Sequence, residues 1–395
     1  MEPGADTLLS MAKVGRTAGS GRFKRTLQTV HLWMGLLLAI PIIVIGLSGS
    51  ALLLQREILA YQIPAATADG ERHPLARMIA AAQTAAPENT TPRSIVLSQY
   101  AGAPTTINFD TGGRPPRTLV HVDPVSLDVL GTALVTNRGP ILDFLIKAHA
   151  FLLLPAPIGF PIVGWMAVAM TFMAVSGIVL WWPRKGMWSH AFWIRKGARG
   201  LRYHLEFHHV VGFWGSIILL VMGVSGLYLV FPETFRESVE AVLPTGNNFN
   251  PDEREYAGGP SPMHADGAVA AALAAVPDTR AINVQLPPNP DLPYVVHLET
   301  TAFRPKLPPI LVTLNARTGE INFIDDPRNY SVGDKFLNLQ HALHFGIGLG
   351  WVWKVLVFIS GILPLALGIT GLTIWLKRRA TKRVVPQAVF SPAAE

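Results

Sequence analysis

Four stretches without a single charged residue are each long enough to cross a bilayer, and nothing else in the chain limits its fold so tightly. They run from Leu32 to Leu54, within Ala150 to Trp182, from Val210 to Phe231, and from Val355 to Leu376. A membrane helix needs about 20 consecutive apolar residues. A buried helix of a soluble protein can imitate one such stretch, but four in 395 residues point to lipid. The second stretch is too long for one helix, and Pro155, Pro157 and Pro161 crowd its beginning. Residues 151–161 therefore read as an irregular entry, with the span proper from Ile162 to Trp182. The first stretch exceeds the 7–15 residues of a signal-peptide core and reads as a retained helix. Composition agrees: 15% of residues are charged, against about 25% in a soluble domain.

Charge orients the spans. Lys13, Arg16, Arg22, Lys24 and Arg25 precede the first. Arg184, Lys185, Arg195, Lys196, Arg199 and Arg202 lie between the second and third, with Glu206 the only acid. Lys377, Arg378, Arg379, Lys382 and Arg383 follow the fourth. Short segments this basic stay in the cytoplasm, so both termini are expected there. The long segments balance differently, with eight basic and eight acidic residues in 55–147 and eight against fourteen in 232–350; both are expected outside. The net charge of +7 is then a signal of topology, and no nucleic acid is needed to explain it.

The two halves resemble each other. His31-Leu-Trp-Met-Gly35 opens the first span and His208-His-Val-Val-Gly212 the third. Gly46-Leu-Ser-Gly49 matches Gly223-Val-Ser-Gly226 at the same offset of 177 residues. The even-numbered spans correspond through Val175-Ser-Gly-Ile-Val-Leu-Trp181 and Ile369-Thr-Gly-Leu-Thr-Ile-Trp375. In the outer segments, Ala-rich helical patterns at 75–86 and 267–276 precede alternating runs. These are 94–97, 105–109 and 118–122 in the first, and 281–286, 294–298 and 310–314 in the second. Alternation over four to six residues reads as strands with one buried face. A turn at Asp123-Pro124 and another at 315–319 each lead to a further strand. Pro287-Pro288 and Gly258-Gly259-Pro260 mark linkers.

The expected fold is an α-helical membrane protein with four transmembrane helices, two outer α+β domains and an internal two-fold repeat. Its expected order is a basic tail (1–26), a span (27–56), an outer domain (57–147), an irregular entry with the second span (148–182), a basic loop (183–206), the third span (207–232), a second outer domain (233–340), the fourth span with its outer entry (341–376) and a basic tail (377–395).

Cysteine is absent and histidine occurs twelve times. Without thiols there are no disulfides, iron–sulfur clusters, thiolate-ligated haem or c-type haem attachment. Seven histidines lie at or near span boundaries. His31, His204, His208 and His209 sit at the cytoplasmic end, and His149, His341 and His344 at the outer end. A repeat-related pair at each face is what two bis-histidine haem irons require, because imidazole is a standard axial ligand. The offset of 177 pairs His31 with His208, leaving His209 and His204 as secondary candidates. At the outer face His149 pairs best with His344, with His341 second. The span glycines would let a flat macrocycle approach the helices, except that Gly46, Gly49, Gly223 and Gly226 read as simple helix packing. His190, His73, His121, His264 and His297 read as ordinary interfacial residues. A zinc site would want three or four ligands together, and no His-Glu-x-x-His accompanies these residues. The cytoplasmic segments are too short for a nucleotide-binding domain; Gly346-Ile-Gly-Leu-Gly350 lacks the strand–turn–helix setting of a dinucleotide site.

The paired His-x-x-x-Gly starts, the Ser-Gly and Thr-Gly…Trp span ends and the two outer α+β segments resemble the PepSY-associated transmembrane family, over about 22–383. That family includes iron-regulated inner-membrane proteins and ferrisiderophore reductases. The resemblance implies a bacterial inner membrane and two b-type haems. By motif, their ligands fall on His31, His208, His149 and His344. It also implies an oxidoreductase that passes electrons across the membrane to a ferric, hydroxamate-type siderophore outside and releases Fe(II). Quinol or a cytoplasmic reductase is the expected electron donor. Two readings of other classes stand beside it: a siderophore or iron permease, and a non-redox regulatory protein whose outer domains bind a partner.

Overall fold

The computed structural model describes residues 5–55, 64–110, 118–134, 140–183, 185–246, 263–289, 291–301 and 308–383. The linker at 258–260 and the side chains of Lys13, Arg16, Arg184, Lys382 and Arg383 lie outside the described residues. In chain order the helices are α1 (Ala5–Leu52), α2 (Leu75–Gln83), α3 (Pro140–Phe151), α4 (Ala156–Trp181), α5 (Trp188–Ala191), α6 (Gly200–Val230), α7 (Pro232–Glu240), α8 (Ala265–Ala275), α9 (Val332–His344) and α10 (Gly350–Arg383). The strands are β1 (Thr91–Val96), β2 (Thr105–Asp110), β3 (Thr118–Val122), β4 (Val129–Leu134), β5 (Thr279–Gln285), β6 (Tyr294–Thr300), β7 (Ile310–Leu314) and β8 (Ile321–Asp325).

Among the described residues, four helices are long and apolar enough to cross a membrane, and they carry the four expected spans. They form a ring in which α1 packs on α4 and α10, and α6 on α4 and α10. Small residues let the backbones approach: Gly46 of α1 faces the Gly361 carbonyl of α10, and Gly223 of α6 faces Thr171 of α4.

The spans are longer than their apolar cores. Helix α6 begins ten residues before Val210, and Arg202 pairs with Glu206 at 2.9 Å one turn on within that extension. The irregular entry expected at 151–161 is shorter than its prolines suggested. Pro157 sits in the first turn of α4, where its missing N–H costs nothing, and Pro161 is absorbed inside the helix. The reversal is confined to 152–155, where Leu152 and Leu153 take φ values of 51° and 62°. The equivalent reversal before α10 uses Gly346, Gly348 and Gly350, at φ of 64°, 83° and 82°.

Two short helices escaped the sequence reading. Each carries a histidine of interest in its last turn and then reverses into an even-numbered span: α3 carries His149, and α9 ends on His344. Ser331 caps α9 by accepting from the Asp334 N–H at 3.1 Å.

The two segments expected outside the membrane do not form two separate domains. All eight strands join one antiparallel sheet in the order β4-β3-β2-β1-β5-β6-β7-β8. Each half is a four-stranded meander, and the halves meet where Ser94, Ile95 and Val96 pair with Gln285, Val284 and Asn283. Alternation decides the two faces. Ile95, Ile107, Phe109, Val120, Val284, Val296, Leu298 and Val312 are all buried on one face with Met78 of α2 and Ala268 and Ala272 of α8. The opposite face carries polar side chains such as Thr106, His121, Asn283 and His297, which share its register.

Two polar features lock the sheet's surroundings. The N-terminus of α2 has no cap of its own, and Asp266 of α8 supplies one from the other half, accepting from Leu75 N–H at 2.8 Å and Ala76 N–H at 3.1 Å. Asp123, in the turn after β3, accepts from the Thr67 hydroxyl and N–H and from Val125 and Ser126 N–H. Burial pushes its carboxyl up, but these hydrogen bonds outweigh burial and hold it at about 2.

Candidate functional site

The four expected histidines occupy two layers of the helix ring. His31 of α1 and His208 of α6 lie at the end away from the sheet, against Ser176 of α4 and Thr370 of α10. His149 and His344 lie at the sheet end, with ring centroids 6.0 Å apart and planes inclined at 56°. Along α6, His208 and Ser225, which contacts His344, are seventeen residues apart. At 1.5 Å per residue the layers are roughly 25 Å apart.

Every one of the four rings is held through Nδ1. His31 Nδ1 lies 2.7 Å from Ser176 Oγ, His208 Nδ1 2.9 Å from Thr370 Oγ1, and His344 Nδ1 3.1 Å from Ser225 Oγ. His149 Nδ1 lies 2.8 Å from the Ile45 carbonyl. A hydroxyl has one proton to give. Ser176 gives its proton to the Met173 carbonyl, Thr370 to Ala366 or Leu367, and Ser225 to Met222. A carbonyl can only accept, so His149 Nδ1 carries the proton and its Nε2 lone pair is left for a ligand. The same tautomer at His31, His208 and His344 satisfies the imidazole and carbonyl contacts of each hydroxyl at once.

Glycines make room for the rings. A Cβ at Gly49 would lie 2.6 Å from His149 Cε1, and one at Gly226 3.4 Å from His344 Cε1. At Gly177 it would lie 3.6 Å from His31 Cε1, and at Gly371 3.5 Å from His208 Cε1. Gly49 and Gly226 thus seat histidines, which corrects their reading as helix packing alone; Gly46 and Gly223 keep that role. Gly177 and Gly371 likewise back an imidazole ring.

The secondary candidates fall elsewhere. His209 is exposed, on another side of α6 from His208. His341 is exposed, stacked on Phe345 and edge-on to Tyr228. His204 packs edge-on against Tyr203, and its buried Nδ1 has no partner among the described residues. His121, expected to be interfacial, is buried within the sheet with Nδ1 2.9 Å from Thr106 Oγ1. His297 meets Gln285 Nε2 at 3.1 Å.

A cavity of about 1310 Å³ opens on the sheet-end pair. Gly49, Gly226, Met170, Met222, His149 and His344 line its depth, while Thr301 and Arg328 line it on the sheet side. Among the described residues, no three His, Asp or Glu side chains converge as a metal cluster. A metal held by His149 and His344 would therefore take its remaining ligands from a non-protein group. The two imidazoles and the largely apolar, glycine-lined cavity beside them fit a flat macrocyclic group carrying that metal.

Sequence reasoning singled out the four imidazoles that the structure places in two layers, and missed the groups that hold them. Ser176 and Thr370 stood in the Ser-Gly and Thr-Gly pairs, and Ser225 in the Ser-Gly of the third span, so a signal was there: a hydroxyl directly before a glycine. No such signal marks the Ile45 carbonyl.

Comparison with the curated proteins finds no match. A family model described as the PepSY-associated TM region matches residues 28–378.

Proposed function

The chain belongs to the PepSY-associated transmembrane family, and on that premise we propose that it is a haem-dependent reductase of a bacterial inner membrane, with two b-type haems, that delivers electrons to a ferric siderophore outside. The observation that carries this reading is the sheet-end pair, two facing imidazoles with their Nε2 atoms uncommitted in a cavity large enough for a macrocycle. A second pair one bilayer depth away supplies the other half of a conduit. Each haem, when bound, would supply a one-electron iron couple.

The chain's own residues do the rest. Ser176, Thr370, Ser225 and the Ile45 carbonyl fix the tautomer and plane of each ligand ring. The apolar helix ring excludes water and shields the path between the layers. The basic segments orient the bundle with the His31 layer at the cytoplasmic face, where quinol or a separate reductase gives up electrons. The sheet then lies outside, over the layer that meets the ferric chelate. Reduction by one electron turns Fe(III) to Fe(II), which hard oxygen ligands hold less tightly, so the iron is released. The two halves of the chain form an internal repeat, each half contributing one imidazole to each layer.

The test is an optical redox spectrum of the purified protein with haem quantified per chain. The expected result is a Soret band that shifts on dithionite reduction, two haems per chain, and loss of about half the haem in each of His149→Ala and His31→Ala. A protein without a Soret band sinks the reading. Proteoliposomes that carry the intact ferric chelate inward without reducing it would favour a permease instead.

A further inference from the structure

The basic segment between the second and third spans does more than link them. Its helix α5 is folded back against both. Phe192 meets Phe213 and Trp214 at ring-centroid distances of 5.4 and 6.0 Å, and Trp188 meets Trp181 and Trp182 at 6.0 and 5.4 Å. Trp181 stacks on Phe213 at 3.8 Å, and its indole N–H donates to the Ala191 carbonyl at 3.2 Å, which pins the segment in place. Phe213 and Trp214 belong to the uncharged run of α6, more than one turn past His208. Helix α5 therefore packs beside the start of that apolar run and does not stand away from it. Yet Trp182, Trp188, Trp193 and Trp214 remain exposed. Indole rings so placed gather where the acyl chains of a bilayer meet its headgroups.

Charge names the partner. Glu206 is the only acid between 183 and 209, and it is already held by Arg195 at 3.0 Å and by Arg202 at 2.9 Å. Lys185, Lys196 and Arg199 are exposed and make no ion pair among the described residues. They bracket the rings: Lys185 comes three residues before Trp188, Lys196 three after Trp193, and Arg199 directly before α6. We propose that residues 185–199 form an interfacial wedge selective for anionic phospholipids, with its tryptophans among the upper acyl chains and Lys185, Lys196 and Arg199 on the phosphates. A soluble protein could pair with the cations, but rings packed beside an apolar span are matched by lipid, and a lipid headgroup layer matches both features at once. The wedge rests on the spans alone and does not depend on the haem reading.

The chain has no cysteine, so Ser189→Cys in α5 places a single fluorophore on the wedge of the full-length protein. The labelled protein goes into phosphatidylcholine nanodiscs doped, at equal mole fraction, with phosphatidylglycerol or phosphatidylcholine carrying a nitroxide high on one acyl chain. Quenching by the anionic lipid is expected to be about fivefold stronger, and the ratio should shrink as salt is raised. Adding Lys185→Gln, Lys196→Gln and Arg199→Gln should bring the ratio close to one, while Lys185→Arg with Lys196→Arg should keep it. Gel filtration checks that each variant remains folded. Equal quenching by the two lipids in the parent overturns the proposal, as does a triple-glutamine variant that keeps the parent's ratio. If neither lipid quenches and aqueous iodide does, α5 stands in solvent and the wedge falls, leaving a surface for a soluble partner.

Discussion

The first half of the chain holds its sheet-end histidine more tightly than the second half holds its own. Gly49 and Gly226 stand at matching places, yet His149 presses within 2.6 Å of where a Cβ would be, and His344 only within 3.4 Å. Ser48 and Ser225 also match, but only Ser225 takes the imidazole. Ser48 is turned to the Val44 and Ile45 carbonyls, so His149 bonds the Ile45 carbonyl directly. The turns after β3 and β7 differ in the same sense. Charged Asp123 gathers four donors and ties down Thr67, whereas neutral Asn315 receives the Arg317 and Thr318 N–H groups. The cavity, meanwhile, opens under strands β5 to β7 of the second half. Similar parts have thus been tuned differently: one half clamps the site and the other gives access to it.

The largest effect that could break this contrast is steric. Gly49→Ala should evict the His149 ring; on the proposed two-haem reading it removes about half the haem per chain, while Gly226→Ala should lose much less and Gly177→Ala none. Equal losses from Gly49→Ala and Gly226→Ala, in pyridine haemochrome assays, would erase the difference in clamping.

A smaller effect concerns the rings' protons. Ser225→Ala removes the acceptor that fixes His344 and should destabilise its Nδ1–H tautomer by about 1 kcal/mol. His149, held by a backbone carbonyl, should stay unchanged in the same variant. Nitrogen-15 NMR of labelled histidines reads both; a mixed tautomer at His149 in the parent protein would contradict the carbonyl assignment.

The smallest effect is in acid. The Asp123 carboxyl is depressed in the folded protein, so the stability it contributes is fully present above roughly pH 4 and fades as pH falls through about 2. Asn315 contributes no such slope. Asp123→Asn should therefore flatten the acid limb of the thermal unfolding curve, and Asn315→Ala should leave its shape alone.

Much of this was legible because it is periodic or repeated. Uncharged runs marked the spans, alternation marked Ile107, Phe109 and Val120 as inward-facing, and the offset of 177 residues singled out His208 over His209. The reading failed where the decisive contact is remote in sequence. Helices α3 and α9 are only 12 and 13 residues long, and their apolar patterns merge with the spans that follow. No local pattern states that Ile95 pairs with Val284, 189 positions away, so two separate domains were expected where one sheet forms. The seat at Gly49 was missed for the same reason, since a small residue in a span reads equally as helix packing until its neighbour is known.

Because each pair draws one imidazole from each half, the first half of the chain alone can form neither. His31 has its Ser176 partner once the second span is in place, but His208 waits for Thr370 and His149 waits for His344. The last two helices therefore finish the two layers separately: α9 brings His344 to His149, and α10 brings Thr370 to His208. A truncation before residue 344 leaves three of the four long apolar helices and neither layer finished.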